Sequence, residues 1–241
     1  MPVVFEDAVV LVTGSNGGLG KEFVHESLER GARRVYATAR HPREWNDDRI
    51  VALSLDVNDP QSIANAATVA SDTTIMVNNA GAFAGGSLLN QPFDEIRALF
   101  ETNVFGAIGM VRAFAPVLAR NGGGAVLDVH SVLSWTSFPG GGAYGATKAA
   151  FWAATNAFRL ELAPQGTLVT GLHLGYTDTP MIDSFDVDKN SPIDVVRAAF
   201  DGIAAGEYEV LADSMTTEAK RLLSLSIHEQ FPSLPSSFVE S

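Results

Sequence analysis

Cysteine is absent from this chain of 241 residues, which removes disulfides, thiolate nucleophiles and zinc–thiolate sites together. Positive charge is scarce: 16 Lys and Arg stand against 28 Asp and Glu, a formal net charge of −12. A nucleic-acid partner needs a basic footprint, so that class is excluded. Any phosphate-bearing ligand has to be held by local donors against an unfavourable overall field. The start of the chain carries no basic segment ahead of an apolar one, and its first apolar run, Ala8 to Val12, is too short to cross a bilayer. The expectation is a soluble, cytoplasmic protein with no membrane partner. There is no Pro/Ser-rich linker, internal repeat or low-complexity run apart from a polar tail from about residue 231, so residues 1–241 are expected to form one domain. The five histidines lack metal-ligand spacing and no G-x-S-x-G elbow occurs, so neither metal nor hydrolase chemistry is supported.

What the chain does have is alternation. β-Rich runs at 8–12, 34–38, 50–55, 74–77, 125–130, 167–174 and 209–211 are separated by helical stretches at about 18–30, 60–70, 92–120, 143–162, 192–205 and 216–228. Apolar strands such as Val9-Val10-Leu11-Val12 suit a sheet covered on both faces, and regular helical crossovers make that sheet parallel. The expected class is α/β, a doubly wound parallel sheet of Rossmann type. Asp59-Pro60 and Ser191-Pro192 each place a capping residue ahead of a proline at the first helical position, and Pro116 is expected to kink or end the long helix around it.

After the first strand, Gly14, Gly18 and Gly20 follow the spacing G-x-x-x-G-x-G and lead into a helix. Glycines there permit positive φ and let a pyrophosphate approach the backbone at the positive end of the helix. A tight turn without a ligand is the alternative. About twenty residues on, the second strand ends in Thr38-Ala39-Arg40 with no acid for a ribose 2′-hydroxyl. Arg40 offers a planar fork for a 2′-phosphate, so NADP is preferred to NAD, or else it is a solvated surface charge. Further on, Tyr144 and Lys148 lie one helical turn apart on one face, thirteen residues after Ser131. A phenol with an ordinary pKa of about 10 is a poor acid or base near neutrality, and a nearby fixed positive charge lowers it.

Thr13-Gly14-x-x-x-Gly18-x-Gly20, Asn78-Asn79-Ala80-Gly81, Ser131 and Tyr144-x-x-x-Lys148 together resemble the short-chain dehydrogenase/reductase family, from about residue 8 to about 211. The resemblance implies that Gly14, Ser15, Asn16, Gly18, Leu19 and Gly20 form the phosphate turn. It implies that Asp56 and Val57 meet the adenine ring, and that Asn79, Ala80 and Gly81 line the nucleotide. Gly175 and Thr179 match a P-G-x-x-x-T segment that contacts the nicotinamide carboxamide, with Leu174 in place of the proline. Asp128 and His130 stand where the family often has Asn and Ser. By the same resemblance, Tyr144 is the general acid, Ser131 steadies the substrate oxygen, and Lys148 binds the nicotinamide ribose and depresses the tyrosine. Asn103 holds a water on its backbone carbonyl that continues a proton path to that lysine.

The function expected is NADPH-dependent carbonyl reduction or alcohol oxidation, with a dinucleotide-sensing regulatory module on the same fold as the alternative. A sugar-nucleotide epimerase or dehydratase is disfavoured by chain length and glycine spacing. Loops beyond the strand ends carry Phe83, Leu133, Trp135, Phe138, Tyr176, Met181, Ile182 and Phe185, an apolar wall for a hydrophobic or aromatic small-molecule substrate, or else core packing. Residues 176–190 read as a lid or a plain surface loop. Phe100, Val104, Phe105, Ile108, Phe151, Trp152, Phe158 and Leu162 could build the face of a homo-oligomer, a dimer or tetramer, or pack against the sheet.

Overall fold

A computed structural model describes residues 3–235, so residues 236–241 of the expected polar tail lie outside the described residues. Seven parallel strands run in order β3-β2-β1-β4-β5-β6-β7. They are β1 (Val9–Thr13), β2 (Arg34–Ala39), β3 (Ile50–Ser54), β4 (Ile75–Asn78), β5 (Ala125–Val129), β6 (Leu168–His173) and β7 (Glu209–Leu211). The helices are α1 (Gly18–Glu29), α2 (Pro60–Val69), α3 (Phe93–Phe100), α4 (Ala107–Arg120), α5 (Gly142–Leu162), α6 (Pro192–Ala205), α7 (Ser214–Leu222) and α8 (Ile227–Gln230). The doubly wound Rossmann-type expectation holds, and the strand order reverses between β1 and β4.

The period of two along β1 builds both cores. Val10 and Val12 pack on one face with Phe23 and Val24 of α1 and Val196, Phe200 and Ile203 of α6. Val9 and Leu11 pack on the other with Met110, Phe114 and Leu118 of α4. Because every β1 residue is buried, the strand reads as a continuous apolar run rather than an alternating one. The stretch Phe93–Arg120 is long and apolar enough to span a membrane, yet half of its apolar window is buried in this core.

Several local expectations are corrected. The helix around Pro116 is not ended there and runs on to Arg120. Its irregularity lies earlier, in a π-helical turn over Glu101–Gly106 that joins α3 to α4. Asp59 caps α2 by accepting from Gln61 N at 2.9 Å, but the Ser191 side chain caps nothing. Its backbone carbonyl instead accepts from Val195 N at 3.2 Å, and Pro192 opens α6 with φ already set. The helix expected over 216–228 is two, because Asp213 with Thr216 and Ser226 with Glu229 each form a capping box that starts a helix afresh. Of the residues considered for an oligomer face, Val104, Phe151, Phe158 and Leu162 are buried in the chain's own core, while Phe105 is exposed.

Two histidines sit in the interior. His130 packs against Phe151 and His173, and neither of its ring nitrogens has a hydrogen-bond partner. Burial holds both imidazoles neutral, pulling His130 well below its ordinary value of 6.5 and His173 down to about 3. Unfolded histidines take up protons near pH 6.5, so the unfolded chain binds more protons than the folded one as pH falls below that value, and stability declines with it. His130→Leu is expected to unfold at a higher urea midpoint than the parent at pH 5, with a smaller difference at pH 8. An identical pH dependence for the two proteins would remove His130 as a source of acid lability.

Candidate active site

The turn between β1 and α1 is built so that only glycine fits. Gly14 and Gly18 have φ of 67° and 53°, values that side-chain-bearing residues rarely adopt. A Cβ on Gly20 would lie 2.1 Å from the Gly14 carbonyl oxygen, and one on Gly18 would lie 3.2 Å from the Thr179 methyl. The turn is thus pressed against the segment after β6 on one side. On the other, Asn79 Nδ2 donates to the Thr13 carbonyl at 2.8 Å, and Thr13 Oγ1 accepts from the amides of Asn79 and Ala80, each at 2.9 Å.

Tyr144 and Lys148 stand on the first turns of α5, against the end of β5. Ser131 lies two residues beyond the end of β5, and its Oγ accepts from Leu133 N at 3.2 Å. Lys148 Nζ donates to the Val129 carbonyl at 2.8 Å and lies 5.7 Å from the centre of the Tyr144 ring. Burial pushes the Tyr144 phenol up to about 12, against the opposing pull of its Ser131 hydrogen bond. Burial brings Lys148 down to about 8, with Asp128 opposing. The expectation that Lys148 depresses the tyrosine is therefore corrected for the protein itself, where loss of water dominates both groups. Asn103 lies in the π-helical turn with its side chain spent on fixing the site's backbone. Oδ1 accepts from Ala82 N at 2.7 Å, and Nδ2 donates to the Ala82 carbonyl at 2.9 Å and to Thr147 Oγ1 at 3.0 Å. Thr147 Oγ1 in turn donates to the Tyr144 carbonyl at 2.7 Å.

A cavity of about 1060 Å³ runs from the glycine turn to the Ser131, Tyr144 and Lys148 side chains. It is lined by Gly14, Asn16, Gly18, Leu19, Arg40, Asn79, Ala80, Gly81, Ser131, Tyr144, Lys148, Gly175 and Thr179. Four residues tied to the nucleotide by resemblance do not line it. The Ser15 hydroxyl is buried, donating to the Thr38 carbonyl at 3.1 Å. Gly20 is occupied with Gly14. Asp56 accepts from Asn58 N at 3.0 Å in its own turn, and Val57 packs where a Cβ on Gly106 would fall. Arg40 is exposed at the cavity edge and makes no ion pair among the described residues.

The outer wall is apolar, as the residue types suggested. Phe83 meets Tyr144 edge-on at 5.1 Å and Phe185 at 5.8 Å, and Leu133, Phe138, Tyr176, Met181 and Ile182 complete the lining. Trp135 also reaches the cavity but is locked in place, stacked on His173 at 3.7 Å with Lys220 Nζ 4.8 Å from its ring centre. Sequence reasoning missed the wall given by α7: Met215, Glu218, Ala219 and Leu222 line the cavity at helical spacing. That one-face pattern was available, but nothing local says that this helix folds back over the strand ends. Asp213 makes it do so. One carboxylate oxygen accepts from Gly175 N at 2.6 Å and Asn190 Nδ2 at 2.7 Å, and the other accepts from Thr216 N at 2.8 Å. With Val132 N donating to the Leu174 carbonyl at 2.8 Å, hydrogen bonds supply the rigidity that a proline at 174 would have given. The loop over residues 178–189 closes at its base through a Thr177–Asn190 bridge.

A dinucleotide-sized cleft, a turn only glycine can make, and a Ser/Tyr/Lys cluster define an oxidoreductase of the nucleotide-binding α/β class. Residues 8–190 match the short chain dehydrogenase family, and the chain belongs to the short-chain dehydrogenase/reductase family. A solved short chain dehydrogenase from Burkholderia cenocepacia in complex with NADP is 34% identical, with a TM-score of 0.87 over 92% of this chain and 94% of that one. An NADPH-dependent 1-acyldihydroxyacetone phosphate reductase of Schizosaccharomyces pombe is 32% identical over 179 residues, 70% of this chain and 60% of the relative. An uncharacterized oxidoreductase of Bacillus subtilis is 32% identical over 172 residues, 66% of this chain and 61% of that protein. The match thus spans about three fifths of the length of these two relatives.

Asp213→Ala removes three hydrogen-bond acceptances and the cap of α7. It is expected to cost about 1–2 kcal/mol and to weaken binding of a reduced nicotinamide dinucleotide roughly tenfold, read by thermal unfolding and by nucleotide fluorescence titration. Unchanged affinity would show that the Gly175 segment holds its shape without Asp213.

Proposed function

We propose that this chain is an NADPH-dependent carbonyl reductase or alcohol dehydrogenase. It would pass a hydride between the nicotinamide and a hydrophobic or aromatic ketone, aldehyde or secondary alcohol. The observation that carries the reading is that Ser131, Tyr144 and Lys148 face one cavity that continues into the glycine turn. The turn fits a pyrophosphate: its positive-φ glycines leave the backbone bare where a side chain would intrude, at the amino end of α1. When bound, the nucleotide supplies the hydride and the protein supplies position and protons.

Gly14, Asn16, Gly18 and Leu19 would hold the phosphates, Asn79 to Gly81 the nucleoside, Lys148 the nicotinamide ribose, and Gly175 and Thr179 the carboxamide. Tyr144, protonated at neutral pH, gives its proton to the substrate oxygen as charge grows there. Ser131, with its lone pair engaged by Leu133 N, donates the second hydrogen bond to that oxygen. Asn103 acts through Ala82 and Thr147 to keep Tyr144 in register. Phe83, Leu133, Tyr176, Met181 and the α7 face exclude water around an apolar substrate.

Preference for NADPH over NADH rests on Arg40, and the NADP and NADPH named for two similar proteins support it. The chain would work as one cytoplasmic domain, in a dimer or tetramer that covers exposed Phe93, Phe105 and Leu160. The loop over 178–189 would be the lid.

Tyr144→Phe is expected to lower kcat by about 10²–10⁴-fold in an assay of NADPH oxidation over a panel of apolar ketones and aldehydes, with NADPH affinity preserved. Near-normal turnover in that variant would remove the acid assignment, and binding without oxidation across the panel would favour a dinucleotide sensor. Arg40→Asp should shift the ratio of kcat/KM for NADPH over NADH toward NADH by at least about tenfold. An unmoved ratio would take Arg40 out of cofactor choice.

A further inference from the structure

Beneath the site, the seam between β5 and α5 buries two charges of opposite sign that do not touch. Lys148 Nζ donates to the carbonyl of Val129, the strand residue next to Asp128. Asp128, with no exposed surface, accepts from Asn78 Nδ2 at 3.2 Å and from Thr155 Oγ1 at 2.7 Å. Thr155 stands seven residues, or two turns, beyond Lys148 on the same face of α5. The other ionisable groups around the pair are Tyr144, whose phenol is raised to about 12 by burial, and Arg159 on α5, His130 at the end of β5 and His173 on β6. Arg159 is turned toward the Val169 and Tyr208 carbonyls, and both imidazoles are neutral. Asp128 is the one carboxylate whose field acts appreciably on Lys148.

The two hydrogen bonds at Asp128 do not need a carboxylate. An asparagine there would accept from Asn78 through its amide oxygen and donate through its amide nitrogen to Thr155 Oγ1, whose single proton would then turn to the Phe151 carbonyl 3.1 Å away. The negative charge therefore costs desolvation with no gain in hydrogen bonding, and what it adds is attraction to the buried ammonium.

We infer that Asp128 is a positioning residue, the buried counter-charge that keeps Lys148 protonated and seated on the Val129 carbonyl. Its consequence for turnover rests on the reductase reading; the coupling of the two charges does not. Burial raises Asp128 to about 6 and lowers Lys148 to about 8, so both are charged between these values. Below that window the counter-charge is lost by protonation of Asp128, and above it the ammonium is lost.

The test is a 13C titration of the lysine Cε signals in the protein alone. The chain has four lysines, Lys21, Lys148, Lys189 and Lys220, so Lys148 can be assigned by its loss in Lys148→Gln. In Asp128→Asn the Lys148 titration is expected to move to lower pH by roughly one unit, and the alkaline limb of kcat/KM for ketone reduction to move with it. A Lys148 titration that stays in place overturns the proposal, as does a uniform loss of kcat/KM with the limb unmoved. If the titration moves but no carbonyl is reduced by the parent protein, the coupling stands and the reductase reading fails. Should Asp128→Asn not fold, Lys148→Gln carries the test from the other side. With the ammonium gone, the 13C signal of the Asp128 side-chain carboxyl should titrate at higher pH than in the parent, and an unshifted signal overturns the proposal.

Discussion

A buried ammonium has few places to go, and in this chain Lys148 goes to the Val129 carbonyl. That single bond ties the first turns of α5 to the carboxyl end of β5, and the rest of the site is placed by it geometrically. Tyr144, one turn earlier on the same face, is brought against the segment that opens with Ser131. Thr147, on the neighbouring face, reaches Asn103 across the helix interface. The parallel sheet makes this placement general, since all seven strands present their carboxyl ends to the same side. Burial that fixes the lysine also makes its charge expensive, which is why the surroundings of Asp128 matter to the chemistry above them.

Fold class and the meeting of Ser131, Tyr144 and Lys148 at one cavity were legible because they rest on short-range rules. Continuous apolar strands report two-sided burial, glycine spacing reports positive φ, and a four-residue interval on a helix reports a shared face. What was not legible depends on where distant segments meet. Ser15 sits in a glycine-rich turn beside the expected phosphate, yet its hydroxyl turns inward to Thr38. The role of Asp213 could not be read from its neighbours, because Gly175, Asn190 and Thr216 lie on three different segments. The helix runs through Pro116, which is exposed there, and the departure from α-helical winding occurs earlier, over Glu101–Gly106. The expected effect of Lys148 on Tyr144 considered charge alone and left out the loss of water at both groups.

The net charge of −12 and the apolar cavity pull in opposite directions for an anionic dinucleotide. For the dinucleotide proposed above, attraction would be local, from backbone amides at the amino end of α1, from Lys148 and from Arg40. Such an arrangement places affinity in a few directed contacts and leaves the apolar wall free to define what else enters. The α7 face and the loop after β6 are joined at Asp213, so the two sides of that wall are mechanically one piece.

The π-helical turn between α3 and α4 sets a different kind of limit. Wound with wider hydrogen-bonded loops, it takes up more chain per turn than an α-helix and resets the angular phase of the helix beyond it. Ahead of it α3 buries only Leu99, and after it α4 presents Met110, Val111, Phe114, Val117 and Leu118 inward. Removing or adding one residue there would swing one helix about 100° relative to the other, pointing Asn103 away from Ala82 without altering any side chain. In that stretch the count of residues is more tightly constrained than their identity.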